Sequence, residues 1–133
     1  MLILPGAETW FDTERHADVV TLARRFLAVG TPVAAICGAT YGLAAAGLLD
    51  DRAHTSDSRS FLAVSGYAGG DRYRAQPAVT DRGLITASGV FPVPFALHIF
   101  AALDLYEPEV LDAWEGLFTT GEEVHYATLA AAG

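Results

Sequence analysis

Val33-Ala34-Ala35-Ile36 is an uninterrupted apolar run of strand length, with Gly30 and Pro32 in front and Cys37-Gly38 behind. A strand that is apolar on both faces belongs in a sheet covered on both sides, which points to a parallel sheet with helices packed against it. The segment that follows, Ala39 to Leu49, is rich in alanine and reads as a helix, with Gly42 placed for close packing on a neighbour. A strand running straight into a helix is therefore the centre of the chain.

The flanking segments fit the same plan. Leu2-Ile3-Leu4 reads as a strand ended by Pro5-Gly6. Asp12 or Thr13 is a candidate helix cap, and the helix it opens runs to about Val29. Val19, Leu22, Ala23 and Phe26 recur at helical spacing as its buried face. Arg24 and Arg25 suit the negative end of its dipole, and Gly30 and Pro32 stop it. Ala53 to Ser56 is a candidate short strand, and Asp57 to Arg74 reads as a short helix with loops. Gln76 to Ser88 reads as a hairpin turning at Asp81-Arg82-Gly83. Pro92 and Pro94 open a helix from about Phe95 to Leu103, and Pro108 opens another to about Phe118. From Gly121 onward the chain reads as a loose end. The order of elements predicts one α/β domain, residues 1–133, with a mainly parallel sheet.

Composition limits the functions. The 133 residues suffice for one cored domain, with 52% hydrophobic and 18% charged residues. A net charge of −8 argues against a nucleic-acid partner. The most apolar segment, Phe91 to Leu103, carries His98 and is too short for a bilayer, which needs roughly 20 residues. No basic leader opens the chain, and a lone cysteine cannot form an internal disulfide. A reducing, cytoplasmic compartment with no membrane partner is expected. The scattered histidines and single cysteine offer no metal-site spacing, and Gly66, Gly69 and Gly70 do not follow a strand as a phosphate loop would. No metal or cofactor is expected.

Cys37 is the residue with the most chemistry. It ends the central strand, with Ala35, Gly38 and Ala39 as small neighbours. A sharp strand-to-helix turn needs such neighbours, and it lifts a nucleophile clear of the sheet. The following helix N-terminus favours a thiolate, and its free N–H groups can hold an oxyanion. Equally, a cysteine among small residues can be plain core packing. Local pattern leaves both readings open.

Four stretches in order, LILPGAETW, PVAAICGAT, GLLDDRAHTS and GLITASGVFPVPFAL, resemble the ThiJ/PfpI superfamily within the class I glutamine amidotransferase-like fold. The resemblance runs from Leu2 to about Phe118 and is closest to bacterial members described as intracellular proteases or amidases. It implies a three-layer, flavodoxin-like sandwich with helices on both faces, and a reactive cysteine at the position of Cys37. It also implies backbone oxyanion donors at Ala7, which stands where the family has a second glycine, and at Gly38. Some members place a histidine directly after the cysteine, where this chain has Gly38. Others place it on a later loop, where His54 lies nearby but an ungapped match puts Asp57 at the histidine position. Family members begin with a further strand, helix and strand that bring a Glu beside the cysteine. The resemblance thus implies an N-terminally incomplete domain, through a misplaced start, a fragment, or a partner chain that completes the sheet. Glu8 reads as a solvated loop residue rather than that acid. Trp10 and Tyr41 are either pocket walls or core aromatics. His16 and His125 are expected in solvent, and His98 is expected to pack.

Three functions remain after this reading. One is a cysteine-dependent hydrolase acting on a carbonyl of a small molecule or peptide. Amidase, peptidase, deglycase and hydratase chemistries all share that first step. The others are a stress sensor read through cysteine oxidation, and a binding module whose catalysis has decayed. The resemblance also implies a homodimer.

Overall fold

The computed structural model describes residues 1–133. Its sheet has four strands, β1 (Leu2–Leu4), β2 (Val33–Ile36), β3 (Ala78–Asp81) and β4 (Leu84–Ala87), in the order β1-β2-β4-β3. The first three in that order are parallel, with Leu2 opposite Val33 and Val33 opposite Leu84. β3 pairs antiparallel with β4 at one edge. Their turn uses positive φ at Arg82 (44°) and Gly83 (82°), which matches the right-handed twist of a tight hairpin.

Alternation along β2 and β4 divides the core in two. Val33, Ala35 and Leu84 face one layer with Leu4, Leu43, Leu49 and Leu62. This layer holds α1 (Ala17–Ala28), α2 (Gly38–Ala45) and α3 (Arg59–Ala63). Ala34, Ile85 and Ala87 face the other layer with Phe95 and Ile99 of α4 (Pro92–Ala102). α5 (Pro108–Thr120) packs on α4, and α6 (Val124–Ala132) packs on α5. The result is the expected three-layer α/β sandwich. No helix is long and apolar enough to cross a membrane.

Several local expectations are corrected. α1 starts at Ala17, because Glu8–Phe11 form a 3-10 turn and Asp12 caps a separate turn through Arg15 N–H (3.3 Å). Leu22 faces solvent, while Val20 and Leu27 join Val19, Ala23 and Phe26 against the core. α2 ends at Ala45, four residues before the expected end at Leu49, and Gly42 lies against the Trp10 ring where a Cβ would clash. Ala53 to Ser56 makes a single bridge, His54 to Tyr73, rather than a strand. Side chains replace the ladder there: Thr55 N–H donates to Thr86 Oγ1 (2.9 Å). The end of the chain is the helix α6, and His125 sits over Gly116 of α5 rather than in solvent. His16 is likewise engaged, bonded to Thr9 (3.0 Å) and stacked on Trp10 (4.2 Å). His98 packs as expected, with Nδ1 on Thr80 Oγ1 (2.7 Å).

Candidate active site

Cys37 sits between β2 and α2 with φ 56° and ψ −127°. A residue with a Cβ at positive φ is strained, and here the neighbours hold it in place. Its N–H donates to Ala87 O (3.0 Å), and its carbonyl accepts from Thr40 N–H (3.0 Å) and Thr40 Oγ1 (2.6 Å). Thr40 is tied in turn to Ser56 Oγ (2.7 Å). Glycines crowd the elbow. A Cβ at Gly6 or Gly89 would lie 2.8 or 2.9 Å from the Cys37 Cβ, and one at Gly38 would strike the Ala7 carbonyl.

The half-buried thiol opens into a cavity of about 400 Å³ lined by Gly6, Ala7, Glu8, Phe11, Ile36, Cys37, Gly38, Asp57, Phe61 and Gly89. The turn carrying Ala7 is anchored by Trp10, whose indole N–H donates to Pro5 O (2.9 Å). The Ala7 N–H has no acceptor within the protein, and the Gly38 N–H faces the sulfur. Both expected oxyanion donors therefore border the cavity.

Of the two candidate partners for Cys37, only Asp57 is beside it. Asp57 Oδ1 accepts from Gly89 N–H (2.7 Å) and Ser88 Oγ (2.9 Å), and the Asp57 carboxylate shares the cavity wall with the thiol. Burial and the Asp57 carboxylate push the Cys37 thiol up, against the smaller opposing pull of the Gly38 N–H.

His54 is placed elsewhere. It is fully buried, with Nδ1 on Arg52 O (2.8 Å) and Nε2 on the Tyr67 hydroxyl (2.9 Å). A carbonyl only accepts, so Nδ1 carries the proton and Nε2 accepts from Tyr67. Burial lowers its pKa and raises that of Tyr67. Trp10 and Tyr41 do not line the cavity either. Trp10 is core, and Tyr41 backs the exposed ring of Phe11 (4.9 Å) and that of Phe61 (5.8 Å). Those two phenylalanines and Glu8 are the wall residues that sequence reading missed. Helical spacing gives no signal for them, since Phe11 lies in a 3-10 turn and Phe61 in a five-residue helix.

The model of a known family matches residues 1–102, the stretch that carries the elbow and all four strands. The chain belongs to the DJ-1/PfpI family. It is 37% identical over 131 residues to a Bacillus subtilis protein named "Uncharacterized protease YoaZ", covering 97% of this chain and 62% of that protein. A second B. subtilis relative, "Uncharacterized protease YdeA", is 27% identical over 84% of this chain and 56% of its own length. The chain thus spans about three fifths of these relatives. Among solved structures, a ThiJ/PfpI family protein from Bacillus anthracis superposes with a TM-score of 0.93 at 38% identity, over 98% of this chain and 62% of that one. A DJ-1 superfamily protein from Agrobacterium tumefaciens, Atu0886, superposes at 0.73 with 35% identity, over 90% and 65%.

Proposed function

We propose that this DJ-1/PfpI member is a cysteine-dependent hydrolase of amide or ester bonds, with Cys37 as nucleophile and Asp57 as its proton partner. The observation that carries the reading is the Cys37 backbone, held at positive φ on a strand-to-helix elbow open to a cavity. The protease names of the two B. subtilis relatives support hydrolysis as the reaction class.

The chemistry follows from the groups around the sulfur. As Cys37 Sγ bonds to the carbonyl carbon, the thiol proton passes to the Asp57 carboxylate and the C=O electron pair moves to oxygen. The N–H groups of Ala7 and Gly38 receive that oxyanion. Collapse expels the amine or alcohol, which takes the proton from Asp57, and leaves a thioester. Water then attacks the thioester, Asp57 takes a proton from it, and the acid departs as the thiol is restored. A carboxylate on the same cavity wall as the thiol suits this transfer.

Hydrolysis of p-nitrophenyl acetate, read with intact mass, tests the proposal. The expected result is an acetyl adduct on Cys37 and loss of both adduct and turnover in Cys37→Ala. Turnover unchanged in Cys37→Ala would overturn it.

A further inference from the structure

The charge and shape of the Cys37 cavity bear on which substrates enter it. The wall carries two carboxylates, Glu8 and Asp57, and no arginine or histidine. The chain contains eight Arg+Lys in all, and every one is arginine. The arginine nearest in sequence to the site, Arg59, is directed away from it. Its guanidinium donates to Gly70 O (2.6 Å) and lies over the Tyr73 ring (5.0 Å). Arg24 is held by Ala46 O (2.7 Å), and Arg52 and Arg82 pair with Asp51. No positive side chain lines the cavity to receive an anionic substrate.

The aromatic wall adds a second preference. Phe11 and Phe61 meet edge to face (5.8 Å), and Tyr41 backs both. Phe11 is 52% exposed although it lines the cavity, so its ring is available to a ligand. Aromatic faces beside carboxylates attract cations through the ring quadrupole and direct charge pairing. Asp57 is committed on one oxygen to Ser88 and Gly89, whereas the exposed Glu8 carboxylate makes no ion pair in the chain.

Building on the hydrolase reading, we infer that the site takes acyl substrates carrying an ammonium or guanidinium group. That group lies between the Phe11 ring and the Glu8 carboxylate, while the carbonyl lies at Cys37, and anionic acyl compounds are rejected. Specificity then rests on Glu8 and Phe11, and the reaction on Cys37 and Asp57.

Cys37 itself reports the field in the cavity. Native protein is treated with three methanethiosulfonates: one with a neutral methyl group, one with a trimethylammonium group and one with a sulfonate. Each forms a disulfide on Cys37 and releases methanesulfinate, and each rate is divided by its rate with 2-mercaptoethanol. One carboxylate at a separation on the order of 6 Å changes each charged reagent's rate roughly threefold in water, in opposite directions. The expected cation-to-anion ratio is therefore about tenfold or more. Glu8→Gln should reduce it about tenfold, roughly threefold through each charged reagent, and Phe11→Leu should reduce it by a smaller factor. Glu109→Gln, which removes the same charge on α5 outside the cavity, should leave it unchanged. A ratio near one, or equal effects of Glu8→Gln and Glu109→Gln, would overturn the charge preference and leave the hydrolase reading standing. No labelling of the native protein by the neutral reagent would overturn both.

Discussion

Cys37 and His54 have opposite surroundings. Both side chains can do acid–base or nucleophilic chemistry. Cys37 is half-buried, sits on strained backbone, and faces a cavity with a carboxylate beside it. His54 is sealed in, on a relaxed bridge to Tyr73, with both ring nitrogens bonded to the protein. The difference separates a strained residue open to a cavity from a buried one whose bonds are all made within the fold. Strain is tolerated at the elbow because β2, α2 and the three glycines over-determine it, whereas the buried His54 ring is satisfied on both nitrogens.

The contrast can be broken by substitution. The largest effect is expected at the proton partner. Asp57→Asn should lower turnover about 10²- to 10⁴-fold, the usual range for a general base. A loss below threefold in steady-state hydrolysis would remove Asp57 from the mechanism. Next comes His54→Ala, which leaves the Tyr67 hydroxyl and Arg52 carbonyl unpaired in the core. It should destabilise the fold by roughly 2–4 kcal/mol in urea unfolding, with Cys37 labelling unchanged in the folded fraction. The reverse pattern, intact stability and lost labelling, would make His54 part of the site.

A smaller effect has its sign fixed by burial. Burial lowers the pKa values of His54 and His98 below the ordinary 6.5. Below pH 6.5 the unfolded chain gains protons that these folded histidines resist. Their contribution to stability is complete above 6.5 and is lost as pH falls towards the folded values. Thermal unfolding between pH 7.5 and 5 should show this decline, and His54→Gln should flatten it. The smallest effect separates strain from packing: Cys37→Gly, which suits positive φ, should raise stability by about 1 kcal/mol while ending turnover. A destabilised Cys37→Gly would mean that the thiol packs more than the backbone strains.

Much of this was legible in the sequence because it depends on local pattern. The apolar run of β2, the hairpin turn at Asp81-Arg82-Gly83 and the small residues around Cys37 each state their geometry within a few positions. Asp57 was legible only through the ungapped family match, which set it against His54. What sequence could not give depends on long-range contact. Thr55 bonds Thr86 across the chain and so denies Ala53 to Ser56 a strand ladder. α6 exists because α5 offers it a surface with Gly116 under His125. Trp10 had equal claims as wall and core. Its burial against Gly42, decided only by packing, left Phe11 to form the wall.

The most direct test of the account is the rate of Cys37 alkylation by iodoacetamide against pH, in wild type and in Asp57→Asn. The account predicts labelling of the native protein with an apparent pKa above that of an ordinary thiol. Asp57→Asn should lower that pKa and speed alkylation at neutral pH, even as turnover falls. Labelling only on unfolding, or an Asp57→Asn profile unchanged or shifted upward, would contradict the pairing of Cys37 with Asp57 at an open elbow.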